Sequence, residues 1–257
     1  MEKGYDRFLG FADTYDEGRP KLPGKAIEIL KKYKNHIDLI VDIGCGTGNS
    51  TQVCTNYADK VIGIEPSEDM ILKAREKEND KLSFKKGLGD NTGLNDNIAD
   101  IVICSQAFHW MNPQTTITEV CRILKEGGIF AVIDADYIPI IDLRLEMLIK
   151  QLHSLIVKNI EDENNIIIVP QSKHLENMIN SNMFKYCKEI CFDNEEEYDK
   201  ERFKKYLLSK SSIQKAIRNN YTPIIEKLDN LDNILDEVFQ GKTLKARFSY
   251  KMKIGVK

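Results

Sequence analysis

The chain has 257 residues, 42% hydrophobic and 30% charged, a balance that belongs to a folded globular protein and excludes a fibrous or disordered one. A formal net charge of −3 with a pI near 5.9 gives no field to draw in a polyanion, so no nucleic-acid partner is expected. No window approaches about twenty consecutive apolar residues and the opening "MEKGYDRFLG" carries no apolar signal core, so neither a membrane partner nor secretion is expected, and the cytoplasm is.

The first twenty residues hold aromatic rings at Tyr5, Phe8, Phe11 and Tyr15, a density that predicts a segment lying against the body. Ala26, Ile27, Leu30 and Tyr33 then recur at helical spacing with lysines opposite, which predicts an amphipathic helix over 23–34. From residue 37 short Val- and Ile-rich runs alternate with helical patterns. The strands are "IDLIVDI", "KVIGIE", "LSFKKG", "ADIVICSQ" and "IFAVIDA"; the helices include "NSTQVCTNYA", "SEDMILKAREKE" and "PQTTITEVCRIL", the last followed by a turn at "KEGG". This alternation predicts an α/β fold with a parallel sheet covered on both faces. Ser67 before "EDM" reads as a helix N-cap.

Beyond residue 139 the alternation weakens. "LRLEMLIKQLHSLIVKN", "DKERFKKYLLSK" and "TPIIEKLDNLDNILDEVFQ" predict helices, "NNIIIVP" is a brief apolar run, and "MFKYCKEICF" and "KARFSYKMKIGV" predict strands returning to the sheet. The organisation expected is one domain over 1–257: a lid segment at 1–22, a cofactor-binding core at 36–135, a partly helical cap and substrate region at 139–240, and a closing strand at 245–257. Six cysteines, Cys45, Cys54, Cys104, Cys121, Cys187 and Cys191, form no CxxC pair and fit reduced thiols. Cys187 and Cys191 with His174 match no zinc spacing, so no metal is expected.

The stretch "VDIGCGTGNST" places Gly44, Gly46 and Gly48 where the first strand ends. Glycine there admits positive φ and lets a ligand approach the main chain, at the switch point where open parallel sheets bind ligands. The loop lacks the lysine of a triphosphate-binding loop, and its GxGxG spacing differs from the GxGxxG of dinucleotide binding. Asp42 before the loop and Glu65 at the end of the second strand supply carboxylates instead. Glu65 stands about where a ribose diol would be met by a two-pronged acceptor; a helix N-cap role at "EPSED" is the alternative.

"VDIGCGTGNST", "VIGIEPSEDMI" and "SQAFHWMNPQTTITEVCRILKEGG" resemble the class I S-adenosylmethionine-dependent methyltransferases, and "FADTYDEGRPKLP" is similar to the opening segment of the small-molecule branch typified by trans-aconitate methyltransferases. The likeness covers about residues 8–135. It implies a doubly wound, mostly parallel seven-stranded Rossmann-like sheet with helical insertions in the C-terminal half, and S-adenosylmethionine as cofactor. Asp42, Gly44, Cys45, Gly46 and Gly48 are then implied to hold the methionine part and Glu65 the ribose. Pro66, Ser67 and Met70 would flank the adenosine, Gly89 and Asp90 would lie near adenine, and Ser105 and Gln106 beneath the sulfur. Gly89-Asp90 replaces the family's Ala-Glu, and Thr92-Gly93 its Leu-Pro. Tyr15 and Arg19 are expected to line the pocket, Arg19 facing the cofactor's carboxylate or an acidic substrate. His109 is the candidate general base, with a structural wall beside Trp110 as its other reading.

The function implied is methyl transfer to a small-molecule acceptor at oxygen, carboxylate or hydroxyl, by a monomer or weak homodimer. Transfer to carbon or nitrogen, a non-catalytic cofactor-binding protein and a nicotinamide oxidoreductase are the alternatives.

Overall fold

Ile40, Val41, Asp42 and Ile43 of β1 (Leu39–Ile43) are all buried, as a strand paired on both edges and covered on both faces demands. Around it the computed structural model, which describes residues 10–160 and 169–257, builds one seven-stranded sheet in the order β3-β2-β1-β4-β5-β7-β6. β2 (Lys60–Glu65), β3 (Leu82–Lys86), β4 (Ala99–Ser105) and β5 (Leu124–Ala135) run parallel to β1, whereas β7 (Leu244–Val256) is antiparallel to both β5 and β6 (Tyr186–Tyr198). The sheet is therefore mixed rather than wholly parallel. A strand arriving from a helical cap enters between two others without a right-handed crossover, and an antiparallel insertion allows that.

Successive strand residues divide between two cores, as a period of two requires. Ile40, Ile101, Ile103, Ala131 and Ile133 pack with Ala26, Ile27 and Leu30 of α2 (Gly24–Leu30) and with Leu145 and Leu152 of α6 (Leu143–Ile160). Val41, Ile43, Val102, Cys104, Phe130 and Val132 meet Ile117 and Val120 of α5 (Pro113–Ile123) and Met178 of α7 (His174–Asn180). Each buried Ile, Leu, Val, Phe or Met among them contributes about 1.5–3 kcal/mol. Asn112 fixes where α5 starts: its side chain accepts from the N–H groups of Gln114 and Thr115, and Pro113 follows at the first turn.

The remaining helices are α1 (Ala12–Gly18), α3 (Asn49–Cys54), α4 (Glu68–Arg75), α8 (Lys200–Leu208), α9 (Ser211–Arg218), α10 (Thr222–Asp229) and α11 (Leu231–Phe239). Several differ from the sequence expectations. The expected turn at "KEGG" is drawn into β5 as an irregularity, Ala99 pairing with Leu124 and Ile101 with Ile129. The single helix expected from 222 is two, broken at Asn230. α9 was not anticipated. Tyr5 and Phe8, and most of the "NNIIIVP" run, lie outside the described residues.

Candidate active site

Past the end of β1 the N–H groups of Gly44 and Cys45 both donate to the Ile64 carbonyl, at 2.8 and 3.1 Å, which turns the chain over the edge of β2. Gly44, Gly46 and Gly48 take φ of 73°, 57° and 82°. At Gly44 a side chain would also collide with Ala107 Cβ at 2.6 Å, while at Gly46 it would occupy the space facing the Tyr15 ring, 3.7 Å away. The loop floor is thus bare main chain.

Glu65 closes β2 beside this floor. It is 6% exposed, its Oε2 accepts from Gly46 N–H at 2.9 Å and its Oε1 from Ser67 N–H at 2.9 Å. Ser67 stands at the N-cap position of α4, but its hydroxyl caps nothing; the Glu65 carboxylate takes the backbone donor instead. Asp42 is fully buried, with Oδ2 accepting from Thr51 Oγ1 at 2.8 Å and Oδ1 without a hydrogen-bond partner. Burial raises both carboxyls, Asp42 to about 7 despite the Thr51 hydrogen bond. Neither forms an ion pair among the described residues, so ionising either one leaves a buried negative charge that a cation would relieve.

Two chambers open here. The larger, about 380 Å³, is lined by Tyr15, Gly44, Gly46, Glu65, Pro66, Met70, Gly89, Asp90, Ser105 and Gln106 among the residues expected from sequence. It adds Leu88, Ala107, Trp110, Met111, Asn112 and Thr116. The smaller, about 70 Å³, takes in Arg19, Asp42 and Cys45 and shares Tyr15, Gly44, Ser105 and Gln106 with the first. Gln106 holds φ at 56°, an uncommon conformation for a residue with a side chain, and its N–H is tied to Ile133 O at 2.8 Å. The end of β4 is thereby bent toward both chambers.

Gly48, Ser67 and His109 line neither chamber. Gly48 is enclosed, since a side chain there would meet the Phe84 ring at 2.6 Å. His109 packs against Trp110 with ring centroids 4.8 Å apart, and burial pushes its imidazole down to about 4, so it is neutral and weakly basic near neutral pH. Trp110 and Met111 were legible only as neighbours of His109. Tyr206, Lys210, Phe248 and Tyr250, which line the smaller chamber, belong to the cap and closing strand and carry no local motif. Among the described residues the one trio that could converge on an ion is His36, Asp38 and Asp59, all exposed and in neither chamber. No described helix is long and apolar enough to cross a membrane.

Residues 41–132 match the sequence profile of a family described as a methyltransferase domain. A candidate S-adenosylmethionine-dependent methyltransferase of Saccharomyces cerevisiae is 36% identical over 124 residues, 46% of this chain and 43% of that one. A candidate methyltransferase of Dictyostelium discoideum is 30% identical over 124 residues, 48% of this chain and 46% of its own. The match thus spans less than half the length of either relative. In three dimensions the chain is similar to the solved structure of a type II methyltransferase candidate from Anaeromyxobacter dehalogenans, with a TM-score of 0.69 at 20% identity, covering 93% of this chain and 97% of that one; at that identity the likeness concerns the fold. The matched segment runs from β1 into β5 and so contains the glycine loop and Glu65.

Proposed function

We propose that the chain, built on a methyltransferase domain, transfers a methyl group from S-adenosylmethionine to an oxygen of a small-molecule acceptor. The observation that carries this reading is the pair of buried carboxylates, Asp42 and Glu65, bordering a bare glycine floor with no cationic partner among the described residues. A sulfonium cofactor satisfies that arrangement; a dinucleotide pyrophosphate would add negative charge to it. The chambers fit the group in other ways. Glu65 keeps lone pairs for a ribose diol after accepting two backbone N–H groups. Met70, Leu88 and Met111 offer apolar contact for a heterocycle, and a side chain at Gly89 would strike Met111 Sδ at 2.7 Å. The trans-aconitate-like branch is supported only by the quoted opening segment.

When bound, the cofactor supplies the methyl group and a thioether leaving group. The work left to this chain is positioning and the exclusion of water, which reach roughly 7–11 kcal/mol in well-oriented systems. Tyr15 from α1 covers the glycine floor, Ser105 and Gln106 form the wall past β4 that the two chambers share, and Ala107 and Trp110 continue it in the larger one. A carboxylate acceptor arrives ionised and needs no base, which agrees with His109 facing neither chamber.

Isothermal titration with S-adenosylmethionine, S-adenosylhomocysteine and NAD tests the cofactor. The first two are expected to bind and NAD is not. Glu65→Ala is expected to weaken S-adenosylmethionine by about 1.5–3 kcal/mol, the scale of a charged hydrogen bond. Unchanged affinity in that variant places the ribose elsewhere.

A further inference from the structure

The smaller chamber is lined by three basic residues, Lys21 exposed at its rim and Arg19 and Lys210 deeper in, whereas S-adenosylmethionine brings a single carboxylate. Arg19 follows α1; its guanidinium lies 5.1 Å from the Tyr15 ring centre, its Nη2 reaches Ser209 O at 3.4 Å, and its Nε is buried without a partner. Through Tyr15 it belongs to the wall shared with the larger chamber. Lys210, between α8 and α9, is on the other side of the problem. Its residue is 2% exposed and its Nζ sits 3.7 Å from the centre of the Tyr137 ring and 4.4 Å from that of Tyr206. It donates to Tyr206 Oη at 3.0 Å and to Tyr137 O at 3.1 Å. An ammonium has three N–H donors, so one remains. Tyr250 Oη, from β7, is buried in the same lining with no partner. Among the described residues neither Arg19 nor Lys210 is paired with a carboxylate: Asp42 is engaged with Thr51, and Asp136 stands exposed at the rim.

A buried lysine without an acidic partner is costly to keep, and one framed by two aromatic faces, a carbonyl and a phenol hydroxyl is furnished to hold its charge once an anion arrives. We propose that Lys210 anchors the methyl acceptor through a carboxylate of that acceptor, making it a specificity-determining residue of the reaction. This rests on the reading of the site as a methyltransferase and adds the acceptor's class and its anchor. The chamber has room for about five water-sized groups, which suits a carboxylate on a short carbon chain. With one carboxylate anchored, the reacting oxygen is carried toward the shared wall of Gly44, Ser105 and Gln106. Burial and the neighbouring Arg19 press the Lys210 amine well below its ordinary pKa, so an entering anion would draw a proton onto it from solvent. Tyr15, Tyr137, Tyr206 and Tyr250 are the other titratable groups around it, and burial raises each of them, keeping them protonated near neutral pH.

The test is calorimetry on the whole chain saturated with S-adenosylhomocysteine, titrated with succinate and with its neutral isostere succinamide, in buffers of differing ionisation enthalpy. Succinate is expected to bind at least about ten-fold more tightly than succinamide. In the alkaline range where the free amine is uncharged, its binding should take up close to one proton. Lys210→Met is expected to weaken succinate at least about ten-fold and leave S-adenosylhomocysteine affinity within about two-fold. Equal binding of the two probes, no proton uptake, or a Lys210→Met variant that retains succinate overturns the proposal. So does a variant that loses S-adenosylhomocysteine instead, because the cofactor's own carboxylate then occupies the chamber. Should Lys210→Met fail to fold, the proton count on the unaltered protein and the Lys210→Gln variant decide. If S-adenosylhomocysteine does not bind the unaltered protein at all, it is the methyltransferase reading that fails.

Discussion

Asp42 shows how burial at a single residue couples the fold to charge. Its carboxyl is completely buried, is raised to about 7 by desolvation, and keeps one oxygen without a partner. An unfolded aspartate ionises near 4, so between about pH 4 and 7 the folded state holds a proton that the unfolded state has lost. Stability of the free protein should therefore fall as pH rises through that window and level off above it. A cationic ligand favours the ionised form and reverses the sign. S-adenosylmethionine affinity should rise by up to about ten-fold between pH 6 and 8, and Asp42→Asn should flatten the profile. Calorimetric titrations at three pH values measure this, and an unaltered protein with no pH dependence would remove Asp42 from the cofactor's surroundings. Glu65 is raised as well, so the residual slope in the Asp42→Asn variant reports on it.

At the scale of elements, β5 and β7 are joined by more than their ladder. Lys253 Nζ, 2% exposed, lies 2.9 Å from Asp134 Oδ2, and the buried His174 Nδ1 shares that oxygen at 3.1 Å. Burial alone would raise Asp134; the His174 hydrogen bond and the Lys253 charge hold it below the usual carboxylate range. Lys253→Met leaves that charge stranded and should cost about 3–5 kcal/mol in urea unfolding. Adding Asp134→Leu should return much of it, and additive losses would mean the two do not act as a pair. None of this was visible in sequence, where "MKIGV" reads only as a closing strand. Strands β1, β2, β4 and β5 were legible because burial on both faces enriches them in Ile and Val, a signal carried by each strand alone, whereas edge strand β3 shows only the alternation of buried Leu82 and Phe84 with exposed neighbours. The glycine floor and Glu65 were legible for a related reason: backbone geometry and a charged strand end are local constraints. Lys210, Tyr206 and Tyr250 were not, because what makes them a lining is their meeting across 40 or so residues of cap, and α9 itself carries a weak "SSIQ" start with no capping hydrogen bond from a side chain.

Across the whole molecule, the segment before the sheet and the cap after it close on one another over the site. α1 lies on α8: Gly18 is buried against it, the Tyr198 hydroxyl donates to Gly18 O at 3.1 Å, and Lys205 pairs with Glu17. Only a residue without Cβ fits at 18, since a methyl group would fall 2.4 Å from the Lys205 carbonyl carbon and 2.5 Å from Tyr206 N. Those atoms are backbone and cannot step aside. Gly18→Ala must part α1 from α8, and the parts it moves are those that line the chambers, Tyr15 and Arg19 on one side and Tyr206 and Lys210 on the other. The overpacking should cost about 1–3 kcal/mol. The sharper expectation concerns coupling. Gly255→Ala, which drives a methyl group into the side chains of Phe184 and Met178 within 2.8 Å, is an overpacking control in the second core at a site whose clashing residues line neither chamber. Both variants should melt earlier, whereas only Gly18→Ala should lose S-adenosylmethionine affinity, by several-fold. If the two weaken the cofactor alike, the loss reflects general destabilisation and the contact of α1 with α8 has no special part in closing the site.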